Sequence, residues 1–278
     1  MTWSPWLPEL PEVETIRREL EPEILGLKIV SIELFWEKTL KKISADEFNR
    51  MLGGAVIIGL ERRGKYLIFK TDRGGGFAVH FRMTGSIVTG SEGDGLPSYC
   101  RAVIKMDNNL NLFFTDLRKF GSIEMLESCQ PALDKLGPEP LEDSFSQEVL
   151  KTVLTGRKSP VKAVLLDQQS IAGIGNMYAD EALFQARINP LEPAQNLDQR
   201  QILSLHSAIQ FVLRRAIERK GATVSDYTRP GGESGQAQDD FCVAHKRGCK
   251  CPRCNTPVER IMVCQRGTYL CPVCQPRN

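Results

Sequence analysis

Near its C-terminal end the chain reads Cys251-Pro-Arg-Cys254 and Cys271-Pro-Val-Cys274, two C-x2-C pairs separated by sixteen residues. That spacing sets four thiolates tetrahedrally around one ion, and the ion that suits four cysteines is zinc. The intervening PVERIMVCQRGTYL alternates as a β-hairpin does, with its turn expected at Gly267. Four thiolates leave no open position for water, so the zinc is read as structural, folding a module too short to bury a core of its own. An iron–sulfur cluster and four unrelated thiols are the other readings. The chain holds nine cysteines, an odd number concentrated toward this end, whereas a disulfide scaffold usually spreads an even number along an exported chain. Cys100, Cys129, Cys242, Cys249 and Cys264 read as small structural residues.

At 278 residues the chain is long enough for two domains or one large one. A net charge of +2 argues nothing about nucleic acid, but its distribution does. Residues 241–278 hold Lys246, Arg247, Lys250, Arg253, Arg260, Arg266 and Arg277 against Glu259 alone. A tail that basic attracts a polyanion, although a solvated basic surface has the same composition. No apolar run is long enough for a membrane span, and the start lacks the basic and apolar regions of a secretory signal. A cytoplasmic protein is expected.

PEVETIRRELEPEIL, with a proline and acids at its start, reads as an amphipathic helix with Val13, Ile16 and Leu20 on one face. AVIIGLE (55–61), KYLIFK (65–70), GFAVHF (76–81), AVIKM (102–106) and NLFFTD (111–116) read as strands of an antiparallel β domain. From about 145 to 220, SQEVLKTVLTG, PVKAVLLDQQ, MYADEALFQAR and LDQRQILSLHSAIQFVLRRAIERKG carry helical periodicity. Residues 225–240 read as a long polar loop. In Ile171-Ala-Gly-Ile-Gly-Asn176, Gly173 and Gly175 permit close backbone approach and Asn176 is placed to cap a helix beginning at Met177, a ready anion site. An ordinary helix–turn–helix connection reads the same way.

LPELPEVETIRREL, RRGKYLIF, HFRMTGS, TDLRKFG, LGPEPL, KAVLLDQQSIAGIGNMYADEALF and C-x2-C…QRGTYLCPVC occur in this order. Together, from Pro8 to Gln275, they resemble a bacterial formamidopyrimidine-DNA glycosylase. The resemblance implies an α+β multidomain fold: an N-terminal catalytic β-sandwich with its leading helix (8–140), a helix–two-turn–helix DNA-binding domain with a lesion loop (141–240), and a zinc finger (241–278). It implies removal of oxidised purines (8-oxoguanine and formamidopyrimidines) from double-stranded DNA by a monomer, followed by β,δ-elimination at the abasic site.

The resemblance also assigns roles. Pro8 is the nucleophile, forming a Schiff base at C1′ through its secondary amine. An α-amino group titrates near pH 8, so a useful fraction is unprotonated at neutral pH. Glu9 is the general acid/base and Glu12 a supporting carboxylate. Lys65 contacts phosphate and assists β-elimination; Arg266 holds phosphate and assists δ-elimination. A base must be extruded to be reached, and Met83, Arg118 and Phe120 are the residues that fill the void. Arg157, Lys162 and Asn176 are phosphate contacts, and 225–240 closes over the flipped base.

Two stretches depart from the family pattern. Tyr99 stands where a histidine contacts DNA phosphate, and Val243-Ala-His-Lys246 replaces V-Y-G-R, which puts substrate range in doubt more than catalysis. A related enzyme for oxidised pyrimidines typically opens P-E-G-P-E, whereas this chain opens P-E-L-P-E at Pro8. A zinc-ribbon protein of transcription or translation would not need Glu9, Lys65 or the wedge residues.

Pro8 follows Leu7 in the printed chain, so its nitrogen is a planar tertiary amide with a delocalised lone pair, and cannot attack C1′. Met1–Leu7 is therefore expected to be a mis-assigned start, with a leucine codon at position 7 read as the initiator Met and Pro8 exposed by its removal. Trp3 and Trp6 then have no folded role. A retained extension would instead make a non-catalytic DNA-binding homologue.

Overall fold

The computed structural model describes residues 8–224 and 227–277; Met1–Leu7, with Trp3 and Trp6, together with Ser225, Asp226 and Asn278, lie outside them. The described chain divides into two compact units.

One unit comprises 8–135 together with Arg219–Gln238. It opens with α1 (Leu10–Ile24). Pro11 sits in the first turn, where its missing N–H costs nothing, and Val13, Ile16, Leu20 and Ile24 form one fully buried stripe. Then come β1 (Ile29–Leu34), β2 (Leu40–Lys41), α2 (Ala45–Leu52), β3 (Ile57–Arg63), β4 (Tyr66–Thr71), β5 (Gly76–His80), β6 (Gly85–Ser91), β7 (Cys100–Met106), β8 (Leu110–Asp116), β9 (Ser122–Met125) and α3 (Leu126–Leu133). They build a sheet of order β1-β7-β8-β6 and a second of order β2-β9-β5-β4-β3. Every pairing is antiparallel except β2 with β9.

Inward residues of both sheets share one core with the α1 stripe: Ile32, Ile104 and Phe114 from the first sheet, Leu60, Phe69 and Phe77 from the second. Phe69 stacks on Phe77 at 4.3 Å, and Phe48 of α2 meets Phe77 edge-on at 5.4 Å. Truncating a residue held like Phe77 costs about 3–5 kcal/mol. The sequence runs at 55–61, 65–70, 76–81, 102–106 and 111–116 are strands β3, β4, β5, β7 and β8.

The segment Arg219–Gln238 belongs to this unit rather than to the helices it follows in sequence. The Ser86 hydroxyl and the Thr89 N–H of β6 donate to the Thr228 and Pro230 carbonyls, and Arg229 forks onto Glu19 of α1 at 2.7–3.0 Å.

The other unit comprises Leu136–Glu218 and 239–277. Its helices are α4 (Gln147–Leu154), α5 (Val161–Leu166), α6 (Asn176–Ala186) and α7 (Gln199–Glu218), and its hairpin is β10 (Glu259–Val263) with β11 (Arg266–Leu270). All four helices coincide with segments of helical periodicity. The hairpin turn differs from expectation. Val263 pairs with Arg266, so Cys264 and Gln265 make a two-residue turn, and both have positive φ (47° and 62°). Gly267 lies inside β11, where an added Cβ would stand 2.6 Å from the Arg260 guanidinium. Its glycine makes room for that side chain rather than for a turn.

Candidate active site and nucleic-acid interface

The buried Pro8 and Glu9 lie immediately before α1, with Glu9 as its N-cap. Glu12, one turn in, bends back so that Oε2 accepts the Glu9 N–H at 2.8 Å. Its other oxygen, Oε1, accepts the Ala222 N–H at 2.8 Å. One carboxylate thus fixes the helix start and the base of the 219–238 segment together. Gly221 takes φ +75° and sits so close that a Cβ there would meet Glu12 Cγ at 3.0 Å. Tyr227 covers the same junction, donating toward the Glu12 and Lys220 carbonyls at 3.5 and 3.3 Å. Burial, then the charges of Glu12 and Glu19, push the Tyr227 phenol well above its usual range, so it stays a neutral donor. Ser225 and Asp226, inside the expected lesion loop, lie outside the described residues.

Lys65 occupies the turn between β3 and β4, behind Gly64 at φ +55°. Helix α1 reaches this turn through Glu14. Arg62 Nε is 3.3 Å from Glu14 Oε2, and Arg62 Nη1 donates to the Gly64 carbonyl at 3.1 Å. Burial by itself would raise the Glu14 carboxyl. The hydrogen bonds from Arg17 and Arg18 and the charges of Arg17 and Arg62 outweigh it and hold the group below its usual value. Beside the turn, burial and then the charges of Arg82 and Lys65 lower His80 to about 3, so this imidazole is neutral at working pH.

Met83 lies in the turn joining β5 to β6; Arg118 and Phe120 lie in the turn joining β8 to β9. The two turns are laced together. The Arg118 N–H donates to Thr84 Oγ1 at 3.0 Å and to Asp116 Oδ1 at 3.1 Å, and the Thr84 hydroxyl donates to Asp116. Phe120 is 53 % exposed, with the Arg118 guanidinium 5.2 Å from its ring centre. A large exposed aromatic under a cation is an arrangement suited to nucleobases rather than to a core. Tyr99 is exposed as well, at φ +61°, and its carbonyl accepts the Asp116 N–H at 3.0 Å.

In the second unit Arg157 and Arg266 are exposed. Lys162 is not: it is completely buried, with Nζ 2.6 Å from Asp180 Oδ1 and donating to Thr268 Oγ1 at 2.7 Å. An ammonium enclosed this way faces the β10–β11 hairpin, and the phosphate contact expected of Lys162 is corrected to an anchor for that hairpin. Burial pushes the Asp180 carboxyl up to about 7, against the pull of Lys162 and of the Tyr269 N–H. For Asn176 only the capping expectation is corrected: it is the first residue of α6 and Gly175 is the N-cap, while the Asn176 amide donates to the Gly267 carbonyl at 3.0 Å. Lys162 Nζ also donates to the Gly267 carbonyl at 3.4 Å, so Lys162 and Asn176 together fasten the residue next to Arg266. Buried Glu181 holds the approach to the cysteines, accepting the N–H groups of Cys242, Val243 and Ala244 at 2.7–3.0 Å.

The Sγ atoms of Cys251, Cys254, Cys271 and Cys274 lie within 4.8 Å of one another, so these four cysteines could hold a metal ion. The Cys251–Cys274 and Cys254–Cys271 sulfur separations are 3.8 and 3.4 Å. Tetrahedral zinc with bonds of about 2.3 Å would set sulfurs about 3.8 Å apart, so the donor set fits that ion. Backbone N–H groups of Arg253 and Cys274 already point at Cys251 and Cys271 sulfur, as they would to support thiolates.

Sequence reasoning missed Asp116, Thr84, Asp180 and the Glu14–Arg62 link. TDLRKFG carried a signal for the first, an acid two residues before the exposed Arg118; the others left none of comparable strength.

Two sheets sharing a core with a leading helix, a helical unit and a hairpin beside four clustered cysteines define an α+β multidomain protein. Residues 7–123 match the formamidopyrimidine-DNA glycosylase N-terminal domain, and 136–228 match the H2TH domain of the same family. The chain is 42 % identical over 272 residues to formamidopyrimidine-DNA glycosylase of Chloroflexus aurantiacus, covering 97 % of this chain and 98 % of that one. It is similar to Lactococcus lactis Fpg solved with abasic-site DNA (TM-score 0.90, 35 % identity, 97 % and 100 % of the two chains). Thermus thermophilus MutM (Fpg) compares at TM-score 0.88 and 36 % identity, over 98 % and 100 %. This chain belongs to the formamidopyrimidine-DNA glycosylase family.

Proposed function

We propose that this chain removes oxidised purines, 8-oxoguanine and formamidopyrimidines, from duplex DNA and then nicks the abasic strand by β,δ-elimination. The observation that carries the reading is the start of α1. Within a chain of this family, Glu12 ties the Glu9 N–H and the Ala222 N–H to one carboxylate, directly beside Pro8.

In this reading the Pro8 amine attacks C1′ of the damaged nucleotide as the bond from C1′ to the base breaks; the amine gives up its proton and the base leaves with one. The C1′–O4′ bond of the resulting aminal then opens, O4′ taking a proton, and the iminium so formed is the Schiff base. Glu9, held at the N-cap, exchanges protons with the sugar ring during its formation. Abstraction of a C2′ proton expels the 3′ phosphate, and a second elimination expels the 5′ phosphate. Lys65 and Arg266 neutralise the phosphates as they leave. Met83, Arg118 and Phe120 occupy the space left by the extruded base, Arg118 meeting the orphaned partner. Tyr99, Arg157 and Asn176 hold the backbone, Asn176 partly through its effect on Gly267.

Zinc is the ion proposed for Cys251, Cys254, Cys271 and Cys274; when bound it rigidifies the hairpin that presents Arg266. By function the chain divides into 8–140, which carries the chemistry, 141–240, which binds DNA and covers the lesion, and 241–278, the finger. The protein acts as a cytoplasmic monomer on DNA.

The active form begins at Pro8, because only a free secondary amine has the required lone pair. The N-terminal family match begins at residue 7, the residue directly before Pro8, which supports this start. The test is base release and strand nicking on duplexes carrying 8-oxoguanine, by protein whose first residue is Pro8. Release from duplexes carrying oxidised pyrimidines instead would move the protein to the related endonuclease VIII-type activity.

A further inference from the structure

Asp116 ends β8 with 1 % of its surface exposed, and no step of the proposed reaction uses its side chain. Its carboxylate is nevertheless the acceptor that the two wedge-bearing turns share. Oδ1 accepts the Thr84 hydroxyl and the Arg118 N–H, the latter at 3.1 Å; Oδ2 accepts the Gly121 N–H at 2.7 Å. Its backbone is engaged too: the N–H donates to the Tyr99 carbonyl at 3.0 Å, and the carbonyl accepts Arg101 Nε at 2.8 Å. One residue therefore joins the turn carrying Met83, the turn carrying Arg118 and Phe120, and the strand entry carrying Tyr99.

The Arg118–Phe120 turn is bounded on both sides. Lys119 takes φ +61°, and its ammonium lies 4.2 Å from the Trp36 ring centre. Gly121 fits against Phe114, where an added Cβ would stand 2.5 Å from Phe114 Cζ. These contacts bound the turn on the inner side, and the Asp116 acceptors tie Arg118 and Gly121 to the end of β8.

We propose that Asp116 is the positioning residue that holds Met83, Arg118 and Phe120 in one fixed arrangement for entering the duplex, so that base extrusion, and not chemistry at C1′, depends on it. This rests on the void-filling role given to those three residues under the proposed function.

The experiment compares two rates in one preparation of Pro8-started protein: single-turnover release of 8-oxoguanine from a duplex, and nicking of a preformed abasic site in single-stranded DNA. The second needs no void filling. Asp116→Asn places an amide donor where two oxygens faced donors. Thr84→Val removes the hydroxyl that bridges Asp116 and Arg118, and Thr84→Ser restores it. The ratio of duplex release to single-strand nicking is expected to fall about tenfold in Asp116→Asn and in Thr84→Val, and to recover to within about twofold in Thr84→Ser. A ratio unchanged in both variants, or both rates falling in parallel, overturns the inference. Should Asp116→Asn fail to fold, the Thr84 pair decides the question by the same ratio. Unmodified protein that performs neither reaction would sink the functional reading itself, a result distinct from an active protein with an unchanged ratio.

Discussion

Replacing Lys162 with Met keeps the length of the side chain and deletes its charge. Lys162 and Asp180 are both enclosed, 2.6 Å apart, so the variant leaves a carboxylate with no counter-charge inside the helical unit. Removing one partner of such a pair costs about 3–5 kcal/mol. Burial already lifts Asp180 to about 7 with Lys162 present, and without it the group moves higher. A buried acid with a raised folded pKa binds a proton that the unfolded chain, near 3.9, releases. Stability therefore falls as pH rises between those two values, by about 1.4 kcal/mol per pH unit. In Lys162→Met the penalty is larger at about pH 8, where Asp180 of the unmodified protein is ionised beside Lys162, than near pH 5, where Asp180 is protonated in both proteins. The expected deficit is about 3–5 kcal/mol at the higher pH and about 1 kcal/mol less at the lower, because the two proteins differ in protonation only above about pH 7. Urea unfolding of zinc-loaded protein, followed by far-ultraviolet circular dichroism, reports it, since α4 to α7 lie in this unit. A deficit below about 1 kcal/mol, the range of an exposed pair, or one that does not change with pH, would refute the buried-pair reasoning.

Glu12→Ala deletes the acceptor of two buried N–H groups, so base release should slow by about tenfold to a hundredfold, measured in single turnover on an 8-oxoguanine duplex. Glu14 has a lowered folded pKa; the stability it adds is complete above about 4.5 and lost as pH falls through the folded value. Glu14→Gln should accordingly flatten the acid side of the stability–pH curve in calorimetry. Chelation of zinc should abolish duplex binding in a gel-shift assay while the β-rich unit still melts cooperatively, because its core shares no residue with the cysteine hairpin.

Strands β3, β4, β5, β7 and β8 were legible because each is a short apolar run between glycine or aspartate breaks, and α1 because its apolar stripe recurs every three or four residues; β1 and β6, no shorter but less continuously apolar, were not read. The α2 helix, ADEFNRML, was overlooked; only Phe48 and Leu52 of it are buried, too few to make a periodic pattern. The attachment of Arg219–Gln238 to α1 depends on Glu12–Ala222 and Glu19–Arg229, pairs 210 residues apart that leave no local signature. Lys162 was misread because a lysine is exposed by default, and nothing local announces Asp180 as its partner. Gly267 was misread because glycine is the usual turn residue, whereas Cys264 and Gln265 take the left-handed conformations here. The cysteine spacing needed no such help: its four sulfurs come together as the two C-x2-C pairs require.

The proposed chemistry depends first on the nitrogen of Pro8. The direct measurement is borohydride trapping on an 8-oxoguanine duplex, with protein beginning at Pro8 beside protein retaining Met1–Leu7, followed by mass mapping of the adduct. A covalent adduct on Pro8 is expected in the first and none in the second. An adduct on a lysine, an equal yield from the extended chain, or no adduct from Pro8-started protein would contradict the assignment of Pro8 as nucleophile.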